Sequence, residues 1–418
     1  MAVYASFLWK CRSITFCTQC QVYRFWLMAA GKEGCRMKFR EDGTFHILQF
    51  ADIQEIPDVS EDTQLLLNAA LEKARPDLVV LTGDQLKGAS RRFSGKGERV
   101  EETIRRIMKP VTDRKIPFAV TFGNHDLECG LQNDEQMEIY RSLPGCVDWL
   151  NRRGQEIHHG TKEGTFAIGI RSSDETKVAM AVYLFDTGGT LPQGGYQPLP
   201  PGDLFWYKGV RDTFAQENGG PVPGIVFQHI PLPEYYRLLK RVDRKTKGAV
   251  RTYRTHAGEY YVPDPEKCRE GKLQEAVSVP DSDNREFESF RERGDIFAVY
   301  CGHDHKNSFV GNWLGVDLGY TPSCGFNDYG DGVDRAAREF VFHEKNPAAY
   351  ETRLLTYRDL VGERATRPVK DFFYRLCPAT KEEAAEKAKR VLLLTGLACL
   401  VGRAAVWLVS KNSRREKR

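Results

Sequence analysis

Five short apolar runs constrain what this chain can fold into: Phe45–Ala51, Leu78–Leu81, Ile116–Val120, Ile225–Gln228 and Ile296–Cys301. Each has the length of a buried strand and is too short for a helix. Between the first three lie amphipathic stretches. Residues 61–74 (EDTQLLLNAALEKA) carry Leu and Ala at helical spacing behind two acids, and 98–109 read as another amphipathic helix up to Pro110, which is expected to stop it. Strand–helix–strand–helix–strand predicts an α/β fold with a largely parallel sheet and helices on its faces. Further on, 164–172 and 178–186 read as a strand pair, 240–293 as loops with short helices, and 338–357 as one or two closing strands.

The residues at the ends of these runs are chemically unusual. The first run ends in Asp52 and Gln54, the second in Asp84, the third in Gly123-Asn124-His125-Asp126, the fourth in His229, and the fifth in His303 and His305. Parallel sheets gather function at the carboxyl ends of their strands. Each residue alone has an ordinary explanation: an acid can cap a helix or turn, and a histidine can be a hydrogen-bonded core residue. Together they combine carboxylates, an amide oxygen and imidazoles, the mixture that holds two cations about 3.5–4 Å apart with one carboxylate shared. Imidazole suits zinc and iron, and oxygen ligands suit manganese. His125 can exchange a proton near neutral pH, and Asp126 beside it is expected to orient the ring.

Asp52-x-Gln54, Gly83-Asp84, Gly123-Asn124-His125-Asp126, His229 and Gly302-His303-Asp304-His305 resemble the five blocks of the calcineurin-like metallophosphoesterases, over about residues 44–358. His229-Ile-Pro-Leu-Pro-Glu234 and Gly302-His-Asp-His-Lys-Asn307 resemble the short purple-acid-phosphatase-like branch of plants and protists. The resemblance implies a four-layer α/β/β/α sandwich with a dimetal site (iron, zinc or manganese) at the carboxyl-terminal edge of its strands. It implies Asp52, Asp84 and His305 on one metal, and Asp84, Asn124, His229 and His303 on the other, with Asp84 bridging. His125 would protonate the leaving oxygen or steady the phosphate. Two positions depart from the pattern. Gln54 stands where the family usually has histidine, offering a neutral oxygen, and Lys87 stands where purple acid phosphatases carry a tyrosine ligand. The implied activity is hydrolysis of a phosphomonoester by metal-activated water. The alternatives are a phosphodiesterase, or an inactive scaffold of the same fold, since members of this branch are often labelled inactive.

The flanks differ. Of the 418 residues, the first 43 are read as a disordered or targeting extension, and 359–390 as a charged helical linker. Residues 391–410 are apolar except for Arg403, whose insertion costs about 3 kcal/mol. That stretch is expected to anchor a membrane, the alternative being a helix packed on the domain or a partner, and 411–418 form a basic tail. A net charge of +4 gives no argument for nucleic acid. The 11 cysteines include one CxxC, Cys17 to Cys20, with no zinc-finger partner. Without a secretory leader, the catalytic domain is expected in the cytoplasm, tethering through 391–410 aside. Arg237, Arg241 and Arg244 read as a solvated helix face.

Overall fold

The computed structural model describes residues 37–94, 97–147 and 157–389. The chain opens with β1 (Thr44–Phe50), α1 (Glu61–Ala74), β2 (Leu78–Thr82), α2 (Gly97–Asp113) and β3 (Phe118–Thr121). After α3 (Asn133–Arg141) come β4 (Ile157–His159), β5 (Phe166–Arg171), β6 (Val178–Phe185), α4 (Pro201–Asn218) and β7 (Gly224–Gln228). A small sheet is next, with β8 (Leu239–Arg241), β9 (Val250–Arg251) and β10 (Tyr260–Pro263) in the order β8-β10-β9. Then come β11 (Cys268–Glu270), α5 (Glu286–Arg291), β12 (Ile296–Cys301), β13 (Val310–Trp313), β14 (Val316–Tyr320), β15 (Ala336–His343) and β16 (Glu351–Thr356). Last are α6 (Tyr357–Leu360), α7 (Pro368–Leu376) and a helical stretch over 381–389.

Two large sheets carry the fold, one ordered β16-β15-β1-β2-β3 and the other β11-β13-β14-β12-β7-β6-β5-β4. Each has a parallel centre, β1-β2-β3 and β6-β7-β12-β14, with antiparallel strands outside it. Period-two alternation sorts the side chains. Phe45, Ile47, Leu78, Val80 and Ala119 of the first sheet share a core with Val182, Leu184, Ile225, Phe227 and Tyr300 of the second. The alternate residues Leu48, Phe50, Val79, Leu81 and Val120 pack instead with Leu66, Ile104 and Met137 of α1 to α3. On the second sheet Tyr183, Val226 and Val299 pack with Tyr207 and Phe214 of α4 and Phe290 of α5. The layers are therefore helix, sheet, sheet, helix. Runs such as LVVLT at β2 read as continuously apolar because both faces are covered.

Several expectations need correction. Helix α2 does not stop at Pro110 but runs on to Asp113. A proline there forfeits the hydrogen bond to the Arg106 carbonyl, and the Gln64 side-chain amide donates to that carbonyl at 3.1 Å instead. The stretch 240–293 contains most of the small β8–β10 sheet as well as loops. Arg237 lies in a short 3-10 turn and Arg241 at the end of β8, where it pairs with Glu259 at 2.8 Å, so the arginines do not share one helix face. Among the described residues no helix is long and apolar enough to cross a membrane. The predicted span 391–410, the basic tail and the CxxC all lie outside the described residues, so nothing in the structure supports the tether.

Candidate metal centre

The parallel strand centres end at one shared edge, and the loops leaving them are tightly laced. Gln54 N–H donates to the Asp84 carbonyl at 2.9 Å and Glu55 N–H to the Gln85 carbonyl at 3.1 Å, so the segments after β1 and β2 run side by side. The second sheet is tied in by Thr321, whose hydroxyl donates to the Gln49 side chain at 2.6 Å. Asp52, Gln54, Asp84 and His303 all have positive φ, between 45° and 73°. Non-glycine residues in that region carry backbone strain, which persists where the surroundings over-determine it. Gly83 shows why the packing is so close: a Cβ there would stand 2.6 Å from Gly123 N and 2.7 Å from His229 Nδ1, at a φ of +91°.

Two buried groups have the geometry to hold a metal ion, Asp52–Asp84–His305 and Asp84–His229–His303, and Asp84 belongs to both. His229 Nε2 is 3.4 Å from Asp84 Oδ2, 3.1 Å from Asn124 Oδ1 and 3.1 Å from His303 Nδ1. His305 Nε2 is 3.5 Å from Asp52 Oδ1. Outer contacts aim the rings: His229 Nδ1 lies 2.9 Å from the Thr82 carbonyl, and His305 Nδ1 2.9 Å from the Tyr329 carbonyl. A ring nitrogen donating to a carbonyl leaves the other free to ligate, the arrangement usual around metal-bound histidine.

The electrostatics ask for positive charge. Burial pushes the Asp52 carboxyl well above its ordinary range. Burial alone would raise Asp84 too, yet His229 and His125 hold it below the usual carboxylate range. Burial opposes charge on His229, but the carboxylates of Asp84 and Asp52 outweigh it and lift the imidazole to about 10. At His305 burial wins over Asp328, the Tyr329 carbonyl and Asp84, and drops the imidazole to about 4. Asp84 adds to the upward push on Asp52, so the two buried carboxylates oppose each other's charge, a conflict that cations relieve. Among the described residues Asp52 Oδ1, fully buried, has no hydrogen-bond partner, and an orphaned buried carboxylate oxygen is costly unless an ion meets it. The donor set fits two divalent cations.

Gln54 lies in this group and donates its amide to Asp84 Oδ2 at 2.8 Å; as a ligand it would present its oxygen. Asp126 has a different task from the one expected. Its carboxylate accepts from Asp84 N–H and Gly123 N–H, both at 2.8 Å, and from Leu86 N–H at 3.2 Å. It therefore pins the loop that carries Asp84 and does not orient His125. The ring of His125 meets Glu128 instead, Nδ1 to Oε2 at 2.6 Å, while its backbone N–H donates to Asp84 Oδ1 at 2.8 Å. Lys87 turns away to Asp328, 2.9 Å from its carboxylate.

A cavity of about 140 Å³ opens over the cluster, lined by Asp84, His125, His303 and His305 together with Tyr196, Tyr253 and Tyr329. Tyr329 stacks on His305, and Tyr196 meets His303 edge-on. None of Arg237, Arg241 and Arg244 is among the lining residues.

The family model described as calcineurin-like phosphoesterase matches residues 45–307. The chain belongs to the calcineurin-like phosphoesterase family. Among curated relatives, "Probable inactive purple acid phosphatase 29" of Arabidopsis thaliana is 25% identical, over 73% of this chain and 78% of its own. "Phosphatase DCR2" of Saccharomyces cerevisiae is 27% identical over 66% of this chain and 46% of its own. Among solved structures, a dimetal phosphatase from Danio rerio aligns over 75% of this chain and 99% of its own, at 13% identity and a TM-score of 0.43. As a calcineurin-like phosphoesterase, the chain has the fold of phosphoester hydrolases and residue groups able to bind metal.

Proposed function

We propose that this phosphoesterase is an active phosphatase, cleaving a phosphomonoester at two divalent cations, manganese or an iron–zinc pair. Asp52, Gln54, Asp84 and His305 would hold one ion, and Asp84, Asn124, His229 and His303 the other. The observation that carries the proposal is the sharing of Asp84 between two buried three-residue groups. Bound there, the ions supply Lewis acidity toward phosphoryl oxygens and make a water acidic enough to attack phosphorus. The chain's own residues do the rest. Asp126 fixes the Asp84 loop through three backbone N–H groups. The His125 ring lines the cavity and, charged, stabilises the phosphoryl oxygens or gives its proton to the leaving alkoxide. Burial works against that charge, but Asp84 and Glu128 raise the imidazole's affinity for its proton. The tyrosines narrow the cleft around a small ester group.

The test is turnover of phenyl phosphate with Mn²⁺ supplied. Wild type hydrolyses it, and Asp84→Ala loses at least about a thousandfold, as expected when a shared ligand goes. Equal residual rates for the two would refute the proposal. A second reading, a non-catalytic binding protein, draws support from Gln54 and from relatives named inactive. It predicts uptake of one metal equivalent or none, where the phosphatase takes up two.

A further inference from the structure

Past β16, an outer strand of the first sheet, the chain returns across the cavity mouth. Ala379 and Thr380 line the same cavity as Asp84, His125, His303 and His305. On one flank of that crossing, the Lys370 ammonium donates to the Asn327 side chain, and Lys370 and Lys87 lie over the Tyr374 ring at 5.2 Å and 5.6 Å. On the other flank, Tyr260 of β10 donates to Glu386 at 2.8 Å and Arg251 of β9 stands 3.6 Å from the same carboxylate. In the middle, Lys306 donates to the Cys377 carbonyl at 2.9 Å and the Arg375 carbonyl at 3.4 Å. Lys306 directly follows His305, so the crossing segment is bolted to the metal-binding loop itself.

The way this segment is held matters as much as where it lies. Helix α7 buries no residue, and its apolar side chains Val369, Phe372, Phe373 and Leu376 are each more than half exposed. Its attachment is polar, partly wet and confined to a few side chains. Segments with few buried apolar contacts open locally at a small fraction of the cost of global unfolding.

We propose that residues 368–389 are a hinged cover on the cleft. Closed, it confines the site to a phosphate carried on a small group; open, it admits a bulkier phosphoester. This rests on the phosphatase reading above and adds the substrate's size to it.

The experiment compares full-length wild type with the triple variant Lys370→Ala/Tyr260→Phe/Glu386→Ala, none of which touches the metal groups. Two quantities are read: the rate at which EDTA strips bound Mn²⁺, and the ratio of kcat/KM for a phosphoserine peptide to that for phenyl phosphate. Freeing the cover raises both by about tenfold, the combined effect of three partly exposed polar contacts. Mn²⁺ release and a substrate ratio both matching wild type overturn the cover and leave the phosphatase intact. Faster release with an unchanged ratio overturns its role in substrate choice. Failure of wild type to take up Mn²⁺ removes the phosphatase reading and the cover with it.

Discussion

Glu128 sits one short turn beyond His125, and the contact between its carboxylate and ring Nδ1 leaves Nε2 as the other nitrogen for the cavity. The pair is partly open to solvent, with 41% of the His125 side chain exposed. Glu128 still stabilises the imidazolium, so its removal lowers the imidazole's pKa. Since a general acid must be protonated, the alkaline fall in kcat should begin earlier. Glu128→Gln is expected to shift that limb to lower pH by about one pH unit, with the acid limb little changed. A pH–rate profile identical to wild type would show that Glu128 does not govern His125. The motif Asn124-His125-Asp126 was legible because its members are contiguous and come directly after an apolar run. The partnership was not: a neighbouring carboxylate looks like the natural partner, and the choice between Asp126 and Glu128 is made by where the turn points each side chain. Backbone N–H groups of Asp84, Leu86 and Gly123 claim Asp126 first.

Among the elements, the loops after β1, β2, β3, β7 and β12 do the positioning, and they work because the strands before them are parallel. Parallel neighbours end together, so the shared edge of the two sheets collects side chains from both parallel centres. The cost is crowding, relieved by glycines at the points of closest approach. Gly83→Ala combines a left-handed backbone with a Cβ 2.7 Å from the His229 ring. It is expected to destabilise the fold by about 3 kcal/mol and to weaken Mn²⁺ retention. Urea unfolding at the wild-type midpoint would contradict this. The strands themselves were readable from length and apolarity. Helix α2 was misread at its end, because a proline's missing bond was compensated by Gln64, a residue 42 positions away in the sequence from the carbonyl it serves.

For the molecule as a whole, the buried carboxylates couple metal binding to stability. A cation that binds the folded site and not the unfolded chain stabilises by mass action, about 2.7 kcal/mol at a hundredfold excess over Kd. Mn²⁺ should therefore raise Tm by several degrees and EDTA reverse it, while Asp84→Ala shows no shift. A Tm indifferent to Mn²⁺ in wild type would count against the metal centre. The ligand types, their order and the α/β alternation could be read from the one-dimensional chain, since each is carried by residues close together: an apolar run and its polar end, or a helical period. Which face of each strand meets the other sheet, which carboxylate holds His125, and the passage of residues 368–389 across the cleft were settled by folding. Those contacts join residues far apart in the chain, or turn on where a loop aims a side chain, and leave no periodic trace in the sequence. Three-dimensional packing chooses them by filling space and satisfying buried polar groups.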